Sequence, residues 1–92
     1  MGPSALTQLT GGDRNIAIGF QAGILLTGAA SDNIYIGNLG DATDVTGTIR
    51  IGELGTHTRN FQQGIVGVVL PNTAVPVYID PATGQLGTIV AP

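Results

Sequence analysis

Three short segments of this chain repeat one another: Asn15-Ile16-Ala17-Ile18-Gly19, Asn33-Ile34-Tyr35-Ile36-Gly37 and Thr48-Ile49-Arg50-Ile51-Gly52. A second glycine follows each, at Gly23, Gly40 and Gly55. The first glycines, 19, 37 and 52, are 18 and then 15 residues apart, a spacing that suits an architecture stacking one unit per turn of chain. Ile-x-Ile closed by Gly has period 2 and not 3.6, so the unit reads as a short strand. Both isoleucines of a unit then share one face. Stacked units predict an internal isoleucine ladder (16/18, 34/36, 49/51), with Ala17, Tyr35 and Arg50 in a second column outside it. Gly19, Gly37 and Gly52 stand where the chain must turn, and a positive φ is expected there. Asn15 and Asn33 precede their strands, where an amide side chain satisfies turn backbone groups and stacks on its counterpart. A hexapeptide left-handed β-helix fits poorly: the sixth residue after Ile18 is Ile24, but the sixth after Ile36 is Ala42.

The C-terminal third changes character. Ile65-Val66-Gly67-Val68-Val69-Leu70 reads as a strand ended by Pro71-Asn72. Val75, Val77 and Ile79 alternate on one face, with Pro76 restricting that strand to an edge. Asp80-Pro81-Ala82-Thr83-Gly84 reads as a hairpin loop, with Gly84 closing it in the αL region. The return strand is expected from Gln85 to about Val90. A two-stranded hairpin is marginal in water unless it packs on something.

Length makes packing the central difficulty. A single domain of 92 residues has a narrow stability margin, and the remedies are disulfides, metals or partner chains. Cysteine is absent, which removes disulfides and thiolate chemistry; one His and scattered carboxylates give no basis for a metal or other cofactor. Oligomerisation remains. The 15 glycines interrupt every apolar run, and the 42% hydrophobic content is Ile, Val, Leu and Ala with only 4% aromatics, which favours strands and turns. The class expected is all-β. Three arginines, no lysine and a net charge of −3 argue against nucleic acid and anionic lipid as partners. The longest apolar stretch, residues 64–70, is too short to insert into a membrane as a spanning helix. Met1-Gly2-Pro3-Ser4 reads as a linker-like start on a piece of something longer. The expected organisation is a linker at 1–10, repeats at 11–58, and a strand-and-hairpin segment at 59–92.

The segments Asn-Ile-Ala-Ile-Gly-x-x-Ala-Gly (15–23) and Asn-Ile-Tyr-Ile-Gly-x-x-Gly (33–40) resemble the head repeats of trimeric autotransporter adhesins. Residues 48–52, 55–58, 61–68, 76–80 and 84–88 are similar to the tail-fibre-like segment found just upstream of an endosialidase-type intramolecular chaperone. The likeness covers roughly residues 14–88. Thr48 departs from it, since the pattern prefers Asn there. The resemblance implies a homotrimeric left-handed parallel β-roll or β-solenoid passing into a C-terminal β-hairpin collar. It implies a non-catalytic structural and adhesive role, outside the cell on a bacterial surface or a phage tail fibre. Surface glycans or a host-cell protein are the partners it implies. The alternative is a non-catalytic fragment of a carbohydrate-active fibre enzyme.

Few residues recommend themselves as sites. Tyr35 and Arg50 share the outer column and can stack as a cation–π pair. His57 and Arg59 lie in the polar loop 55–59. These four are the candidate ligand contacts, against the simpler reading of ordinary surface and loop residues. A lone His placed on a threefold axis becomes three, able to hold a metal or an anion. Phe20 and Phe61 read as core or intersubunit filler. Catalysis has no support: Ser4 and Ser31 lie in no nucleophile motif, and Asp13, Asp32, Asp41, Asp44 and Asp80 sit where turns call for Asp.

Overall fold

The computed structural model describes residues 5, 11–44 and 46–89. Among them the chain is all-β, with five short strands in two small sheets and no helix. The three repeats form β1 (Ile16–Ile18), β2 (Ile34–Ile36) and β3 (Ile49–Ile51), paired in parallel in that order. Their register follows the repeat: Ile16, Ile34 and Ile49 lie side by side, then Ala17, Tyr35 and Arg50, then Ile18, Ile36 and Ile51.

Side-chain amides hold this register from the strand entrances. Asn15 Oδ1 accepts hydrogen bonds from the backbone N–H and the amide Nδ2 of Asn33, both at 3.1 Å. Asn33 Oδ1 in turn accepts the Thr48 N–H at 2.8 Å. Asn33 is fully buried, so its bonds replace water that the site excludes. Thr48 has no amide to pass the chain of bonds onward.

The glycines after the strands turn as expected, with φ of 116° at Gly19, 61° at Gly37 and 82° at Gly52. A second set of left-handed positions precedes the Asn/Thr heads: Arg14 (58°), Asp32 (60°) and Gly47 (91°). Arg14 and Asp32 are not glycine, and their side chains form an ion pair across the two turns. The difference between the 18- and 15-residue repeats lies partly at Gln21, whose φ of 56° accommodates the extra residue between Gly19 and Gly23.

The expectation about the strand faces is overturned. The isoleucines are not the interior ladder: Ile16, Ile18, Ile49 and Ile51 are about half exposed or more, while Ala17 and Tyr35 are buried. The return loops lie on the side of the middle column, where Ala17, Tyr35, Ala22 and Leu26 pack together with Ala5 and Ala30 at the margin. The strands' two faces have therefore exchanged roles. Tyr35 and Arg50 belong to the inner column and the isoleucines to the outer face.

The chain divides into two compact units, Met1–Thr56 and His57–Pro92. In the second, β4 (Tyr78–Ile79) and β5 (Leu86–Gly87) pair antiparallel. The hairpin loop follows the sequence expectation: Gly84 has a φ of 80° and donates its N–H to the Asp80 carbonyl at 2.7 Å, and Asp80 Oδ1 accepts the Ala82 N–H. Val90, the expected end of the return strand, lies outside the described residues. The strand expected at 65–70 does not form. Val68 N–H reaches back to the Ile65 carbonyl at 3.3 Å, and Gly67 takes a φ of 82°, so a turn occupies those positions. Every described residue from Leu54 to Ile89 is exposed, so the described residues of this unit have no buried core.

Two glycines test the geometry. At Gly37 any side chain must adopt the left-handed region, so Gly37→Val is expected to cost more than about 1–2 kcal/mol. At Gly12 an added Cβ would stand 1.8 Å from the Ala30 carbonyl oxygen, itself the acceptor for Asn15 Nδ2. Gly12→Ala is therefore expected to destabilise more than Gly87→Ala, where a Cβ meets nothing within 4 Å and φ is not positive. Denaturant melts of the three variants measure the order; equal melting of Gly12→Ala and the parent would refute the close approach.

Candidate functional site

The most organised group of polar side chains is Tyr35, Asp44 and Arg50. Register brings Tyr35 and Arg50 side by side on β2 and β3. A phenol and a guanidinium turned inward both require an acceptor, and the loop returning from β2 supplies one. The Asp41 carbonyl accepts the Asp44 N–H at 2.9 Å, while Asp41 Oδ1 accepts the backbone N–H and the hydroxyl of Thr43. That turn aims the Asp44 carboxylate inward. Asp44 Oδ2 accepts the Tyr35 hydroxyl at 2.7 Å, and Arg50 grips both carboxylate oxygens through Nε and Nη2, each at 2.7 Å.

The Asp44 side chain is 6% exposed and that of Arg50 is 37% exposed, so the pair is largely shielded on the carboxylate side. A two-pronged guanidinium–carboxylate contact in such a place is stronger than a surface pair. The Arg50 hydrogen bonds hold the Asp44 carboxyl below its ordinary range, against the opposing effect of burial. Asp44 reciprocally raises the Arg50 pKa. Burial first, then the bond to Asp44, raises the Tyr35 phenol. All three groups hold their usual charge states at neutral pH, Tyr35 neutral between two ions that balance. No buried side-chain nitrogen or oxygen among the described residues lacks a partner. With the phenol hydroxyl and both carboxylate oxygens bonded within the cluster, the three side chains act as a clamp between the strands and the loop.

The four candidate contact residues are thus separated. Tyr35 and Arg50 sit in the clamp and are not a surface platform, and they meet through Asp44. Arg59 and Phe61 form an exposed pair instead, with the guanidinium carbon 5.0 Å from the ring centre. His57 is exposed in the segment between Thr56 and Thr58. Phe20 and Phe61 are 69% and 74% exposed, so neither fills a core within one chain. No three His, Cys, Asp or Glu among the described residues gather closely enough to hold a metal ion. No described helix is long and apolar enough to cross a membrane.

Sequence reasoning missed Asp44, which looked like one more turn carboxylate. The available signal was the pairing of Tyr35 with Arg50: an inward phenol beside an inward guanidinium demands an anion from the intervening loop, and that loop contains Asp41 and Asp44.

Comparison with protein-family models, curated proteins and solved structures finds no match to this chain.

The clamp has a pH signature. The Asp44 pKa is lower in the folded state than the ordinary value of 3.8. Its stabilisation is therefore complete above the unfolded pKa and is lost as pH falls through the folded one. Melting temperature is expected to be insensitive to Asp44 from pH 8 down to pH 5 and to drop only in stronger acid. Asp44→Asn should remove about 2 kcal/mol at neutral pH and flatten part of that acid limb. An unchanged acid limb in the variant would place the acid sensitivity elsewhere.

Proposed function

We propose that this chain is a non-catalytic structural and adhesive segment of a homotrimeric extracellular fibre, on a bacterial surface or a phage tail. In this reading the three parallel strands are passes of a β-solenoid, and the 78–87 hairpin belongs to a collar. The observation that carries it is the exposed isoleucine face. Ile16, Ile18, Ile36, Ile49 and Ile51 lie on one side of a three-stranded sheet at 37–65% exposure, in a register that makes a continuous apolar column. Such a column is a contact surface more often than a solvated one.

The rest of the chain supports the same reading. Every described residue from Leu54 to Ile89 is exposed, its valines, leucines and isoleucines included. Three copies with the isoleucine columns turned to a common axis would cover that face and leave the clamps inside each copy. The repeat resemblance supplies the fibre context.

Adhesion, where it occurs, falls to groups that remain outside. Arg59 over Phe61, with His57 nearby in sequence, offers a cation and an aromatic face, and a trimer presents them three times. Binding of glycans or surface polymers through them is weak per site and multivalent.

Sedimentation at micromolar concentration should give close to three times 9.3 kDa. Ile49→Asp should shift the population to monomer, because a charge would enter the shared column. A folded monomer for the parent sinks the assembly reading. On a glycan array, Arg59→Ala should lose any signal the parent shows, whereas equal binding would put the receptor site on another part of the fibre.

A further inference from the structure

The first unit's sheet ends at β3 with an open edge. In the ladder, Ile34 N–H donates to the Thr48 carbonyl and Gly52 N–H to the Ile36 carbonyl. The alternation of a parallel pair then commits Arg50 to β2 and turns the backbone groups of Ile49 and Ile51 outward. No strand lies beyond β3 among the described residues. An open edge with unpaired groups next to an apolar face is a template for another strand.

A matching segment lies further along the chain. Asn60-Phe61-Gln62-Gln63-Gly64-Ile65-Val66-Gly67 has the layout of Asn33-Ile34-Tyr35-Ile36-Gly37-Asn38-Leu39-Gly40. Both have Asn at the head, a large apolar residue next, glycines fifth and eighth, and an aliphatic residue seventh. The backbone agrees with the sequence. Gly64 and Gly67 have φ of 84° and 82°, against 82° and 83° at Gly52 and Gly55 and 61° and 80° at Gly37 and Gly40. Yet around Gly64 and Gly67 an added Cβ would meet nothing within 4 Å. No backbone group of residues 60–63 has a hydrogen-bond partner among the described residues. The segment has the corners of a repeat without a neighbour to stack on.

The returns between repeats shorten along the chain. From the second glycine to the next head there are nine residues at 24–32, seven at 41–47 and four at 56–59. The path from Gly55 to Asn60 spans at most about 17 Å, against about 27 Å for Gly40 to Thr48. The two longer returns wall the inner column with Leu26 and Asp44, whereas residues 56–59 are too few to do the same, and an adjacent copy offers the same β3 edge in the same register.

We infer that residues 60–67 are a fourth repeat whose stretch 61–63 pairs in parallel with the β3 edge of a second copy of this chain. Phe61 aligns with Ile49, Gln62 with Arg50 and Gln63 with Ile51. Each copy donates one strand and receives one, and a ring of three closes without an unfilled edge. The inference rests on the homotrimer reading and names how its copies are joined.

The chain has no cysteine, so disulfide trapping is clean. Leu54 and Val66 occupy equivalent corner positions and are 82% and 99% exposed, which makes substitution there mild. The double variant Leu54→Cys/Val66→Cys, oxidised and run without reductant, is expected to give covalent dimers and trimers. Either single variant should give few. On the unsubstituted chain, NMR-detected hydrogen exchange should show the Ile49 and Ile51 amides slowed by about 100-fold or more. A trimer by sedimentation whose double variant crosslinks only within chains overturns the strand exchange and leaves the assembly standing. So does a trimer whose Ile49 and Ile51 amides exchange as fast as exposed ones. A monomer by sedimentation overturns the assembly and this inference together.

Discussion

The stacking of Asn15 on Asn33, and of Asn33 on the Thr48 amide, is the interaction on which the first unit depends. Three-residue strands cannot fix their own register, since each offers only a few ladder bonds. The amide chain does it from the side, and its cost of failure is high because Asn33 is wholly buried. Slipping one strand by one residue would strand the Asn15 and Asn33 oxygens and send Tyr35 to the outer face. Register in turn places Tyr35 beside Arg50, which is the condition for the Asp44 clamp. The loop at 41–44 is thus tied down by strands that were themselves aligned by asparagine.

A single pass encloses very little. Ala17 and Ala22 are small, Leu26 fills the remainder, and Tyr35 spans to the loop wall, where its hydroxyl finds Asp44. Among the described residues, four buried hydrophobic side chains make a thin core for the first unit, and the second unit has none. Fully burying one Ile or Val contributes about 1.5–3 kcal/mol, and most of that stabilisation is not realised by one chain. On the proposed assembly the half-exposed apolar residues would be covered by other copies, and residues 57–89, with only Arg59 and Asp80 besides His57 as charged or titrating side chains apart from Tyr78, would bring little repulsion to it.

Much of the fold was legible in the sequence. Ile-x-Ile before Gly gave the strands, their parallel order followed from repetition, and Asn at the strand entrance gave the amide stacking. Asp80 to Gly84 gave the hairpin. The error about which column faces inward has a physical origin. Period 2 separates two faces but does not say which one the return loop covers, and hydrophobicity alone assigns the isoleucines to the inside. That rule assumes a chain packs on itself. Here the inside is decided by the glycine corners and by what fits in a narrow pass, so small residues and one phenol with a buried acceptor take it. The turn at 65–68 was misread for a related reason. Its aliphatic run looked like a strand, whereas Gly64 and Gly67 repeat the spacing of the earlier corner pairs.

The two columns also divide the work between the inside and the outside of the chain. Polar specificity lies inward, in Asn15, Asn33, Asp44 and Arg50, where a missing partner is costly and so only one arrangement is tolerated. Apolar, non-directional contact lies outward, in the isoleucines and the exposed valines of the second unit. Hydrophobic attraction between copies is strong but says little about register, since one Ile packs on another almost equally well when shifted. In the proposed trimer, register between copies would therefore have to come from directional groups. The outer edge of β3, at Ile49 and Ile51, and the backbone of 60–63 offer such groups. A fibre built on this plan would draw its adhesion between chains from the isoleucine faces and its alignment from the strand edges.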